Sequence, residues 1–194
     1  MWFFWGMWGG GGGVDKLVCV DCGAHAGLIS DIMLHCEAFV YAFEPNLHLQ
    51  KFLRRKYKNN DNIKLYQKAV ATFNGTTDFL IFEKRNLSQG NRILKSKQDK
   101  NTSKTYKVEV VDICEFIEKE ILKKVDKIYF LKLDIEGAEF EILEKLIERK
   151  LYQNIEFIAV ETHEYMFEDG KEKLQNIKSL IEKFKISNIL LDWC

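Results

Sequence analysis

The fold of this chain is decided by the stretch Leu17-Val-Cys-Val-Asp-Cys-Gly-Ala-His-Ala-Gly27. Its first part is an apolar run that ends in Asp21, and two glycines follow within a short loop. Residues 28–35 then show the spacing of a helix. Strand, tight glycine-bearing loop and helix form the beginning of a βαβ unit, and such units hold a nucleotide at the loop. The function of the chain therefore depends on which nucleotide the loop holds.

The loop pattern Asp21-x-Gly23-x-x-x-Gly27 differs from the Gly-x-Gly-x-x-Gly loop of dinucleotide-binding proteins, which counts against a nicotinamide-dependent oxidoreductase. We expect Asp21 to face the mouth of the loop, where its carboxylate would repel a pyrophosphate. A ligand with positive charge and no phosphate suits this position, and S-adenosylmethionine is such a ligand. Glu44 ends the next apolar run, about 20 residues after Gly23, where an acid accepts the ribose hydroxyls. In the alternative interpretation, Asp21 is a cap and Glu44 a surface acid.

The composition favours one cytoplasmic α/β domain without nucleic-acid partners. The chain has 194 residues, and its 29 basic and 29 acidic residues give a net charge of zero, unlike the basic excess of a nucleic-acid binder. Five cysteines, an odd number in mostly apolar settings, predict reduced thiols. Residues 1–13 are an aromatic and glycine-rich leader that we exclude from the fold, and residues 14–194 form the domain. Membrane association is not expected, because the apolar part of the leader is too short to span a bilayer.

The apolar runs and helical patterns alternate along the chain, which predicts a doubly wound, mostly parallel sheet with helices on both faces. The third strand is expected over residues 63–70. A helix is expected over residues 138–150, with a surface pair of Glu141 with Lys145 and an apolar stripe of Phe140, Leu143, Leu146 and Ile147. In such sheets a ligand binds where the strand order reverses, so we expect Asp21 and Asp134 at the two lips of a crevice. Residues 83–104 lack an apolar pattern and carry many basic groups, and both a substrate lid and a solvated insertion remain open.

Four motifs resemble those of the FkbM family of S-adenosylmethionine-dependent methyltransferases. They are Val20-Asp-Cys-Gly-Ala-His-Ala-Gly27, Phe43-Glu-Pro-Asn46, Leu131-Lys-Leu-Asp-Ile-Glu-Gly-Ala-Glu139 and Val160-Glu-Thr-His163. The resemblance covers about residues 17–192, and its Asp-x-Glu-Gly-x-Glu element is specific to the family. It implies the Rossmann-like fold of class I methyltransferases and O-methylation of a hydroxyl of a sugar, glycan or natural product.

The resemblance also implies the site. The residues expected to bind the cofactor are Asp21, Gly23, Ala24, His25, Gly27, Glu44, Pro45, Ala69 and Asp134. The residues expected to be catalytic are Asp134, Glu136 and His163, with Asp134 or His163 as general base and Glu136 orienting the acceptor. Glu139 and Glu161 match the family pattern, and we interpret Glu139 as a solvated acid in the first turn of a helix. No metal is implied, although Asp134, Glu136, Glu161 and His163 carry suitable ligand atoms.

The sequence departs from the family pattern in three places. His25 stands where such motifs often carry Asn, glycines replace the N-terminal cover, and the chain ends at the sixth strand of the parallel sheet, so a C-terminal strand is expected to be truncated. These departures support an alternative function, a catalytically inactive nucleotide-binding or interaction domain.

Overall fold

A computed structural model describes residues 16–82, 103–191 and 193 of the chain. Nine strands lie in this part: β1 Val18–Cys22, β2 Phe39–Phe43, β3 Ile63–Tyr66, β4 Lys68–Ala71, β5 Gly75–Phe82, β6 Ser103–Asp112, β7 Ile128–Leu133, β8 Ile155–Val160 and β9 Ile189–Leu190. The α-helices of the same part are α1 Leu28–His35, α2 Leu47–Lys56, α3 Ile113–Phe116, α4 Glu139–Glu148 and α5 Gly170–Lys183. A π-helical turn, Ile117–Ile121, continues α3.

Six strands form one parallel sheet in the order β3-β2-β1-β7-β8-β9. The strand order therefore reverses between β1 and β7, the strands that precede the first loop and Asp134, which confirms the predicted α/β architecture. A second sheet, β4-β6-β5, pairs β4 with β6 in parallel and β5 with β6 antiparallel. Its presence was not predicted from the sequence.

The core explains why these segments became strands and helices. All five residues of β1 are buried, as are Ile128, Leu131 and Leu133 of β7, which is typical of central parallel strands. On α4 the predicted apolar stripe is buried against the sheet: Phe140, Leu143, Leu146 and Ile147. Asn46 caps α2, because its side chain accepts the backbone N–H groups of the first turn. Within the described residues, no helix has both the length and the apolar character needed to cross a membrane.

Three expectations from the sequence were wrong or fall outside the described residues. The predicted strand over 63–70 is two strands, because the chain leaves the parallel sheet after Tyr66 and β4 pairs with β6 instead. A surface pair of Glu141 with Lys145 does not form, since Lys145 contacts Asp112 and Glu141 contacts Lys173. The leader and residues 83–102 of the predicted loop lie outside the described part, while residues 103 and 104 belong to β6.

Candidate functional site

A cavity lies at the carboxyl ends of β1, β2, β7 and β8. The predicted site residues that line it are Gly23, His25, Glu44, Pro45, Ala69, Asp134, Glu136 and Glu161. The second sheet contributes one wall, and the lining residues from that sheet are Lys68, Ala69, Val70 and Phe79. Phe43, Asn46, Leu49 and Ile135 also line the cavity. The crevice predicted from strand order is thus present, and the second sheet closes one side of it.

Glu44 joins the first loop to the end of β2. Its buried carboxylate accepts the backbone N–H of His25 at 2.9 Å and that of Asn46 at 2.7 Å. These bonds hold the loop while each oxygen keeps a further lone pair for a ligand hydroxyl. Burial raises the pKa of Glu44 to about 7, although the two N–H groups act in the opposite direction. The interpretation of Glu44 as a surface acid is therefore wrong.

The raised pKa of Glu44 predicts a pH-dependent stability. Its ordinary pKa is 4.5 and its folded pKa is about 7, so the folded protein retains a proton that the unfolded chain has lost between these values. Folding stability should therefore fall by up to about 3 kcal/mol as the pH rises from about 4.5 to about 7. Urea unfolding across this range should show the fall in the wild type and a smaller one in Glu44→Gln. Parallel pH profiles for the two proteins would contradict the prediction.

Asp21 lies beneath the loop rather than at its mouth. Its side chain is fully buried, accepts a hydrogen bond from Ser30 Oγ at 2.6 Å, and lies 3.5 Å from Lys132 Nζ. The prediction that Asp21 faces the mouth and forms a lip is wrong, because the strand turns this side chain into the protein. Gly23 lines the cavity in its place. A direct contact of Asp21 with a cofactor stays a prediction.

Lys132 is a central residue of the site that the motif analysis missed. Its buried Nζ donates to the Gly23 carbonyl oxygen at 2.7 Å and lies 3.0 Å from Asp134 Oδ2. Burial alone would lower the pKa of Lys132, but the Asp21 and Asp134 carboxylates outweigh it and leave that pKa raised. The sequence did contain a signal: a lysine within the apolar run of β7, where a cation needs a partner.

The two glycines of the loop are required by its geometry. Gly23 has φ of 82°, and a Cβ there would lie 1.8 Å from the carbonyl oxygen of Asp134. Gly27 has φ of 78°, and a Cβ there would lie 2.4 Å from Tyr57 Oη. The first loop therefore packs its backbone directly on the end of β7 and on α2. Ala24, between them, is buried and is not among the residues that line the cavity.

Acidic side chains surround the β7 and β8 end of the cavity, with His163 buried next to them. His163 is 2% exposed, and its Nδ1 lies 2.8 Å from Glu139 Oε1. Burial alone would lower the pKa of His163, but the Glu139 hydrogen bond and the neighbouring carboxylates raise it to about 9. Burial raises the pKa of Glu136 to about 7. Of the three predicted catalytic residues, Asp134 and Glu136 line the cavity and His163 is not among its lining residues.

Glu139 is not the solvated acid that we expected. It is fully buried, and its carboxylate accepts the backbone N–H of Ile135 at 3.1 Å and that of Gly137 at 2.8 Å. The position of an acid in the first turn of a helix does not indicate that it contacts the preceding loop or the histidine that follows β8. Glu139 therefore shapes the Asp134–Gly137 loop and holds His163 at the same time.

Comparison with known proteins agrees with the motifs. A family model described as the methyltransferase FkbM domain matches residues 21–185, which include every residue that lines the cavity. No curated protein matches the chain.

Proposed function

Because this chain belongs to the FkbM methyltransferase family, we propose that it transfers a methyl group from S-adenosylmethionine to a hydroxyl of a small molecule, sugar or glycan. One observation carries the proposal. Three acids line the same cavity at the point where the strand order reverses: Glu44, the proposed acceptor of the ribose hydroxyls, and Asp134 and Glu136. A donor held at the Glu44 end would therefore lie next to an acceptor at the Asp134 end.

The Glu44 end fits an adenosine-containing cofactor. The free lone pairs of the Glu44 carboxylate suit ribose hydroxyls, and the apolar side chains of Leu49 and Phe79 suit an adenine ring. Gly23 brings its backbone to the cavity without a side chain. When bound, S-adenosylmethionine supplies a methyl group on a positively charged sulfur, which keeps the electron pair of the broken carbon–sulfur bond.

The acidic end supplies the groups that a hydroxyl acceptor needs. In the proposal, Asp134 accepts the proton of the hydroxyl as its oxygen forms the bond to the methyl carbon, and Glu136 orients the acceptor. Lys132, whose Nζ lies 3.0 Å from Asp134 Oδ2, holds this carboxylate in place. Several carboxylates at this end disfavour anionic acceptors. His163, the other predicted base, is held by Glu139 and is not among the residues that line the cavity.

The cofactor proposal is tested by calorimetric titration of the purified chain with S-adenosylhomocysteine. We expect micromolar binding, and we expect Glu44→Ala to weaken it at least about tenfold because the ribose loses its acceptor. Asp61→Ala, which removes an exposed acid that does not line the cavity, is the matched control and should bind like the wild type.

A folded wild type that binds no S-adenosylhomocysteine would overturn the proposal. The result would favour the alternative of an inactive nucleotide-binding or interaction domain. Equal binding by Glu44→Ala would place the ribose elsewhere. A cytoplasmic location is also a proposal, supported by the free thiols of Cys19, Cys22, Cys36 and Cys114.

A further inference from the structure

We propose that Asp134, Glu136 and His163 form a binding site for a divalent transition-metal ion, with Glu161 beside them. The sequence motifs favoured no metal here. Among the described residues, one ligand atom from each of the three side chains lies within 4.8 Å of the other two. Asp134, Glu136 and Glu161 line the cavity, so the ion would face the space that we assign to the acceptor.

The distances from His163 support the site. Its Nε2 lies 3.6 Å from Glu136 Oε2, 3.9 Å from Glu161 Oε1 and 4.0 Å from Asp134 Oδ1. These separations exceed hydrogen-bond length. Ligands of one ion are about 3 to 4 Å apart, since each metal–ligand bond is about 2.1 Å long. The distances from this nitrogen to the three oxygens are therefore in or close to the range expected between ligands of one ion.

The opposite side of the histidine ring has the partner that metal-binding histidines use. Nδ1 lies 2.8 Å from a Glu139 oxygen, and the Glu139 carboxylate is itself fixed by two backbone N–H groups. A carboxylate that accepts the Nδ1 proton leaves Nε2 as the atom with the lone pair. Without a metal, the raised pKa of His163 keeps a proton on Nε2 as well, and the ion would take the place of that proton among the carboxylate oxygens.

Glu136 provides a second, independent observation. Its Oε2 is buried and has no hydrogen-bond partner within the described part of the chain. Its backbone is left-handed, with φ of 59°, and Gly137 follows with φ of 113°. Buried polar atoms are rarely left unpaired, and strained residues cluster at ligand sites. The loop therefore directs an unpaired oxygen toward the place that the His163 distances define.

The ligand set indicates the class of ion. One imidazole with two or three carboxylates suits Mn²⁺, Fe²⁺ or Zn²⁺, whereas Mg²⁺ prefers oxygen ligands and keeps its water. If the proposed methyl transfer is right, such an ion could also coordinate the acceptor hydroxyl and lower its pKa. The binding site itself does not depend on that reaction.

The test is direct binding of Mn²⁺ to the full chain after treatment with a chelator, followed by calorimetry and by the electron paramagnetic resonance of free Mn²⁺. We expect one Mn²⁺ per chain and weaker binding of Mg²⁺. Glu136→Gln should weaken Mn²⁺ binding at least tenfold, and Glu139→Gln, which acts through His163, about 10- to 100-fold. Glu144→Gln removes an exposed acid from the same helix and should change nothing.

Circular dichroism of each variant identifies a loss of binding that comes from unfolding, and Glu136→Gln is the decisive variant because Glu136 lies at the cavity edge. No Mn²⁺ or Zn²⁺ binding by the folded wild type would overturn the proposal, as would wild-type affinity in Glu136→Gln. The titration with S-adenosylhomocysteine is read separately, so either proposal can fail alone.

Discussion

Replacing Lys132 by methionine should lower the free energy of unfolding by about 3 to 5 kcal/mol. Methionine fills a similar volume but removes the charge that pairs with both Asp21 and Asp134. Asp21 is fully buried, so it would keep one hydrogen bond, from Ser30, and lose its counter-ion. Breaking a buried pair in this way leaves an uncompensated charge, which costs far more than losing a surface pair.

Urea unfolding at neutral pH measures this loss. Lys127→Met is the matched control, because Lys127 pairs with Glu156 near the start of the same strand but is half exposed, and it should cost at most about 1 kcal/mol. Adding Asp21→Asn to Lys132→Met should restore part of the stability, since it removes the unpaired charge. A loss below about 1 kcal/mol for Lys132→Met would show that Lys132 does not stabilise the acids.

Gly23→Ala should cost about 3 kcal/mol or more and should abolish binding of S-adenosylhomocysteine. The left-handed backbone of Gly23, φ 82°, costs about 1 to 2 kcal/mol with a side chain. The larger effect is steric, because the new Cβ would lie 1.8 Å from the Asp134 carbonyl oxygen. Since this oxygen belongs to the backbone, a change of side-chain rotamer cannot relieve the clash. The loop must therefore move away from β7, and Lys132 loses its bond to the Gly23 carbonyl.

The variant Gly75→Ala separates the cost of backbone strain from the cost of a steric clash. Gly75 also has a positive φ, 157°, but a Cβ there would meet no atom nearer than 3.8 Å. It should therefore cost only about 1 to 2 kcal/mol of backbone strain and leave ligand binding intact. Thermal unfolding and calorimetry on both variants provide the comparison. Equal losses in the two proteins would disprove the steric explanation for Gly23.

The parallel sheet could be predicted because its strands are apolar runs bounded by clear breaks, and α1 was predicted at Leu28–His35, its observed bounds. The division of 63–71 into β3 and β4 could not, since both halves have the same local pattern and only the partner strand differs. The local sequence pattern predicts that a residue lies in a strand, but tertiary contacts determine in which sheet the strand pairs.

The site, like the fold, was predicted only in part: the sequence indicated which residues lie at the cavity but not how buried side chains pair. Motifs located Glu44, Asp134 and Glu136 on the cavity, because strand ends gather at one edge of a parallel sheet. They did not reveal that Asp21 turns inward to Lys132, or that Glu139 is buried against His163. Such contacts join residues far apart in the chain, and a single sequence carries no record of their pairing.

The bond between Glu139 and His163 has an evolutionary consequence. A substitution of Glu139 alone strands a buried histidine and two backbone N–H groups, and a substitution of His163 alone strands a buried acid. Each single step therefore passes through a protein with an unpaired buried group, and a double step avoids this only if residue 139 keeps an acceptor for the two N–H groups. We therefore expect the two positions to change together in related chains, with an acceptor retained at position 139.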